Sequence, residues 1–146
     1  MTSFQGLDHR DAQLAIQAIQ EEILRRGKAA VIAVADEHGE LVGILRTAGA
    51  PASSIVIASN KAWTAARERT PTRELGRRSR DAKTAFDFAY YGDMRYVGWG
   101  GGLPVAVDGA VVGSVAVSGL SEQEDEELAG IGVAAVLDAA ARTHGR

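Results

Sequence analysis

From Asp8 to Arg26 the apolar residues Ala12, Ala15, Ile16, Ile19 and Ile23 recur at helical spacing, which predicts an amphipathic helix. Its ends are marked: Asp8 suits an N-cap with Asp11 in the first turn, Arg25 and Arg26 complement the negative end of the dipole, and Gly27 suits the left-handed position after it. Two short β-rich runs follow, Ala30–Ala35 and Leu41–Leu45, separated by Asp36–Glu40, where Gly39 supplies the positive φ of a tight turn. This predicts a hairpin.

After the loop around Thr47–Ala52, a second helix is predicted from Ser53 to Arg69. Its small residues Ala58, Ala62, Ala65 and Ala66 let it lie close to a sheet or to a second copy of the chain. Thr70 and Pro71 then read as the N-cap and first residue of another helix, with Glu74 in its first turn and Gly76 ending it. From Asp81 to Trp99 no period is legible. Leu103–Val107, the pair Asp108 and Gly109, and Ala110–Val117 predict a second hairpin, with Pro104 tolerable only at an edge or a strand start. Ser121 and Glu124 form a capping-box signature before a last helix through Leu128, Ile131, Ala135 and Ala139. Two hairpins between helices predict an α+β fold with an antiparallel sheet rather than a Rossmann fold.

Composition narrows the chemistry. The 146 residues, 46% hydrophobic, suit one domain spanning 1–146 with its own core. Absence of cysteine removes disulfides, thiolate metal sites and cysteine nucleophiles, and permits a reducing compartment. The first residues lack a leader pattern and no apolar run is long enough to span a bilayer, so no membrane association and a cytoplasmic location are expected. A net charge of -3 offers no global attraction to nucleic acid. The arginines at 67, 69, 73, 77, 78 and 80 form one charge block and the acidic residues Glu122, Glu124, Asp125, Glu126 and Glu127 another. Solvated faces explain both, and complementary contact between subunits is the alternative.

His9, His38 and His144 share no metal-ligand spacing, so no metal site is expected, and no nucleophile-elbow motif supports a serine triad. The glycine run Gly100, Gly101 and Gly102 suits close approach of a ligand to exposed main-chain N–H groups, and equally a bend ahead of the hairpin. Arg46, Lys61 and Arg95 are each read as solvated cations or as clamps. An arginine beside Tyr96 and Trp99 would suit an aromatic acid or a porphyrin propionate. Asp125 and Glu126 complement a helix dipole, and the crowding of acids around them argues for solvent exposure.

Taken in order, these segments resemble the GlcG/HbpS (haem-degrading-domain) family. The resemblance is carried by Arg46–Pro51, Ala58–Ala66, Gly101–Val105, Asp108–Gly119 and the pair Asp125 and Glu126. It runs from about residue 8 to residue 140, and only Asp81–Trp99 falls outside it. The resemblance implies a profilin-like antiparallel sheet of about five strands flanked by helices, assembly into dimers or octamers, and members that bind haem or other tetrapyrroles. With the resemblance and the arginine–aromatic reading of Arg95, Tyr96 and Trp99 taken together, the ligand is expected around Arg46, Lys61, Arg95, Tyr96, Trp99, Gly100, Gly101, Gly102, Ser118 and Asp125, and the resemblance implies haem as the one cofactor. The chain departs from the family pattern at Glu40, where many members carry histidine, at Ala48 and at Glu124.

Three functions are then expected in descending order. The first is a small-molecule-binding protein for haem or a similar planar ligand. A small cofactor-independent lyase or isomerase acting on an aromatic carboxylate would use the hydroxyls, carboxylate and guanidinium of Tyr90–Tyr96. A non-catalytic assembly or sensor subunit is suggested by the small-residue helix and the opposed charge blocks.

Overall fold

The computed structural model describes residues 6–144. Residues 1–5, read above as lacking a leader, lie outside the described residues, as does the side chain of His144. The elements run α1 (His9–Arg25), β1 (Val31–Asp36), β2 (Leu41–Arg46), α2 (Ser53–Glu68), α3 (Thr72–Arg80), β3 (Gly102–Val107), β4 (Ala110–Ser118) and α4 (Glu122–His144). All strand pairs are antiparallel, in the order β2-β1-β4-β3.

The sheet has four strands rather than about five. The segment Asp81–Trp99 supplies no further strand, because its polar residues close local turns instead. The carboxylates of Asp81, Asp87 and Asp93 accept from the backbone N–H groups of Lys83, Ala89 and Arg95, a side-chain pairing that competes with sheet ladders. A 3-10 turn at Phe88–Tyr91 ends on Gly92. Its aromatic rings gather on one another, with Tyr91 and Tyr96 edge to face at 4.6 Å and Phe86 stacked on Tyr91 at 5.4 Å.

The unbroken apolar run of β1 has a direct cause in the layering. Ile32 and Val34 face α1 and α4 in the larger core, with Ile19, Ile23, Val115, Val117 and Leu128. Val31, Ala33 and Ala35 face the opposite side with Ala58, Ala62 and Ala116. Helices thus cover both faces of the sheet, and β1 is buried on each. On the α2 side the facing residues are small from both layers, so helix and sheet approach closely, and the Ser114 hydroxyl donates to the Ala62 carbonyl at 2.5 Å.

The predicted caps form as expected at α1, where Asp8 accepts from the N–H groups of Arg10 and Asp11, and Asp11 returns to the Asp8 N–H. The second hairpin turns through Asp108 and Gly109, both at positive φ, as a two-residue primed turn requires. Pro104 lies on β3, an edge of the sheet. The third helix differs from its prediction. It starts one turn-residue later, with Pro71 as N-cap, because the Thr70 hydroxyl donates back to the Glu68 carbonyl. It also runs through Gly76 to Arg80. Gly76 is buried in mid-helix because Gly98 crosses it so closely that a Cβ would meet the Gly98 carbonyl oxygen at 1.8 Å. Packing, not helix termination, is what that glycine serves.

Candidate functional site

Register brings the candidate residues to one end of the sheet. Arg46 pairs with Val31, and Val31 with Ser118, so Arg46 and Ser118 lie in one row on the α2 face, two strands apart. The first half of α2 lies over this end and presents Ser54, Ile57 and Lys61 along one stripe. The chain then turns through Gly119 and Leu120 into α4. Ser54, Ile57, Lys61, Trp99, Ser118, Gly119, Leu120, Glu122 and Asp125 line a cleft of about 310 Å³ there.

At its floor lies a buried ion pair. The Lys61 ammonium donates to the Asp125 carboxylate at 3.1 Å and to the Val117 carbonyl at 3.0 Å. Both side chains of the pair are 3% exposed. The other Asp125 oxygen accepts from the Leu120 N–H. Burial is the dominant influence on both groups: it pulls Lys61 below its ordinary range and pushes Asp125 above the usual carboxylate range, while their mutual attraction opposes each shift. An ammonium carries three donors, and among the described residues two acceptors take them. The third donor has no acceptor among the described residues.

The expectation that Asp125 is solvent-exposed, and the reading of Lys61 as a solvated cation, are corrected here. Crowded acids on a first helical turn look solvated in sequence, yet α4 follows β4 so tightly that Asp125 turns inward, leaving the neighbouring Glu124 to pair outside with Arg26 and Lys28. Lys61 falls in the same stripe as Ala58, Ala62 and Ala65, all buried. That placement of a lysine in a small-residue stripe was the available signal.

The glycine run serves this pair. Gly101 has φ +132, and a Cβ there would come within 2.5 Å of the Val117 carbonyl oxygen and 2.7 Å of the Lys61 Nζ, so only glycine lets the main chain cross the ion pair. The flanking N–H groups are committed within the chain, Gly100 to a Glu122 carboxylate oxygen at 2.7 Å and Gly102 to the Thr72 hydroxyl at 2.9 Å. The run therefore lets the main chain pass over the ion pair and does not itself line the cleft or present a row of free donors.

Of the remaining candidates, Trp99 borders the cleft and Arg46, Arg95 and Tyr96 do not. Arg95 pairs with Asp93 and stands 4.1 Å over the Trp63 ring, which Arg67 also approaches at 4.8 Å. The Tyr96 hydroxyl reaches Glu68 at 3.4 Å. Tyr90 is exposed to solvent, and the carboxylate and guanidinium of Tyr90–Tyr96 are spent on each other while its hydroxyls lie apart from them. Trp99, 58% exposed, belongs to the cleft wall. Arg46 is exposed on the edge strand β2. Ser54, Ile57, Leu120 and Glu122 are cleft residues that pattern reading missed, since none stands out from its helix or turn until register places it. Thr64, fully buried, ties the irregular segment down by donating to the Arg95 carbonyl and accepting from the Val97 N–H. Among the described residues no group of three or more His, Asp or Glu side chains is placed to hold a metal ion, and no helix is long and apolar enough to cross a membrane.

With this geometry in hand, the chain can be set beside known proteins. The family described as "Haem degrading protein HbpS-like" matches residues 7–134. The chain is 35% identical to Protein GlcG of Escherichia coli K12 over 112 residues, 77% of this chain and 81% of that one. Its fold superposes on the crystal structure of Klebsiella pneumoniae protein ORFY with a TM-score of 0.83 at 28% identity, covering 93% of this chain and 96% of the other. It superposes on the PduOC–haem complex with a TM-score of 0.81 at 27% identity, covering 89% and 94%.

Proposed function

The chain belongs to the HbpS-like family, and from that premise we propose that it is a small-molecule-binding protein whose cleft between α2 and α4 takes haem or a similar planar, carboxylate-bearing ligand. The observation that carries this reading is the buried Lys61 ammonium, which lines the cleft with one donor uncommitted. Beside it stand the flat Trp99 ring and the Ser54 and Ser118 side chains. A planar acid would lay its ring against Trp99 and direct a carboxylate to Lys61, where low local dielectric strengthens the charged hydrogen bond. The haem complex of a protein with the same fold supports the choice of ligand class.

The residues fit the ring and the propionates better than the metal. No histidine, methionine or cysteine lines the cleft, and His38, in the turn of the first hairpin, is 77% exposed beside Glu37. Haem iron takes such donors as axial ligands. In this chain the ring contacts and the carboxylate carry the binding, and no step is assigned to the iron. A homo-oligomer, dimer or octamer, is part of the same proposal; light scattering reads it directly.

Titration of the purified protein with haemin tests the reading. A saturable change in the Soret band at micromolar haem is expected, and Ile57→Trp, which fills the cleft from α2, abolishes it. Absence of a saturable change in the unsubstituted protein overturns the haem assignment.

A further inference from the structure

On the other side of Trp99 lies a second cleft, of about 370 Å³, lined by Ser79, Arg80, Phe88, Tyr96, Val97, Gly98 and Trp99. We propose that it is a separate binding site for a small aromatic carboxylate, with Arg80 as the anion partner and Phe88, Tyr96 and Trp99 as the ring-stacking walls.

Three observations carry it. First, the charge at its edge is uncommitted. Of the four arginines on α3, Arg73 pairs with Glu126, and Arg77 and Arg78 both pair with Glu74. Arg80 makes no ion pair among the described residues, although Glu74, Glu122 and Glu126 line the groove it borders on its far side. Glu122 is occupied by the Gly100 N–H, so those carboxylates have partners of their own.

Second, the main chain at the floor has donors to give. Gly98 and Trp99 lie outside helix and strand, and neither N–H has an acceptor among the described residues, whereas the Val97 N–H beside them is taken by Thr64. Both residues line the cleft together with Arg80. A guanidinium with adjacent main-chain N–H groups is a donor set for a carboxylate.

Third, the walls are aromatic and fixed. Phe88 and Tyr96 stack at 6.4 Å with their planes 17° apart. Gly98 is wedged between Gly76 and Phe88, where a Cβ would meet the Phe88 ring at 2.8 Å, so the floor is held from both sides. The cleft accommodates one or two fused rings. This site stands independently of the ligand assigned to the Lys61 cleft, although the two share Trp99.

The test is calorimetric titration with 2-naphthoate, joined to amide shifts in a ¹H–¹⁵N spectrum. Saturable binding that moves the Gly98 and Trp99 amides is expected. Arg80→Gln, an exposed position on α3, should weaken it about tenfold or more, as should replacing the probe by neutral 2-naphthamide. Arg78→Gln, which removes the same charge from the same helix, and Ile57→Trp, which fills only the Lys61 cleft, should leave it unchanged. No saturable binding, equal weakening by Arg78→Gln, or shifts confined to Ser118 and Leu120 would each overturn the site. Naphthoate binding that persists where haemin fails removes the haem assignment alone.

Discussion

The Lys61 ammonium and the Asp125 carboxylate meet 3.1 Å apart with both side chains 3% exposed, so a helix lying on one face of the sheet and a helix packed on the other are joined by a charge pair under the glycine run. Breaking one half of such a pair leaves an unpaired buried charge. Lys61→Met should therefore cost about 3–5 kcal/mol, whereas Lys61→Met with Asp125→Leu should recover most of that loss. Urea denaturation of the three proteins measures it; equal stability of the single and double variants would show that the pair is not coupled.

Gly101→Ala should be more damaging than Gly92→Ala. Its φ of +132 and the Val117 carbonyl oxygen 2.5 Å from a new Cβ add steric overlap to strain, giving a loss of about 2–4 kcal/mol. Gly92→Ala shares a positive φ but faces open space, so it should cost about 1 kcal/mol. Thermal unfolding ranks the two.

Asp8 predicts an acid limb in the stability curve. Hydrogen bonding to the Arg10 guanidinium is the largest cause holding its carboxyl down at about 2, below its unfolded value. A depressed carboxylate stabilises the fold above the ordinary aspartate range and loses that contribution as pH falls from about 4 toward 2. Asp8→Ala should cost about 1 kcal/mol at neutral pH through the lost cap and flatten the limb between pH 4 and 2. Denaturation midpoints across that range check the sign.

Thr64→Val removes both hydrogen bonds that anchor the Arg95–Val97 stretch while keeping the side chain's shape. Faster amide exchange confined to residues 93–99 is expected, with a global loss of about 1–2 kcal/mol. Unchanged exchange there would mean that aromatic packing alone holds the segment.

Haemin and metal-free protoporphyrin IX should bind with similar affinity, because the Lys61 cleft offers a carboxylate partner and a ring wall without a histidine, methionine or cysteine donor. Absorbance and porphyrin fluorescence titrations compare them. A strong preference for the iron form would locate an axial ligand outside the cleft lining.

What the sequence determined by itself was the order of elements and their local chemistry. The caps of α1, the Asp108–Gly109 turn, the edge position of β3 and the family membership all rest on neighbours in the chain, where spacing and turn preference act directly. Tertiary structure alone decided the strand number, since the aspartates of Asp81–Trp99 chose local turns that no period reveals. It also decided that Gly76 continues a helix under Gly98. Above all it decided the fate of Lys61 and Asp125. Each has a residue type and local setting that favour water, and only the packing of α2 against the sheet and the immediate rise of α4 from β4 brings 64 residues of separation down to one hydrogen bond. Burial of a charge depends on what the rest of the chain places around it, and that is not written in its neighbours.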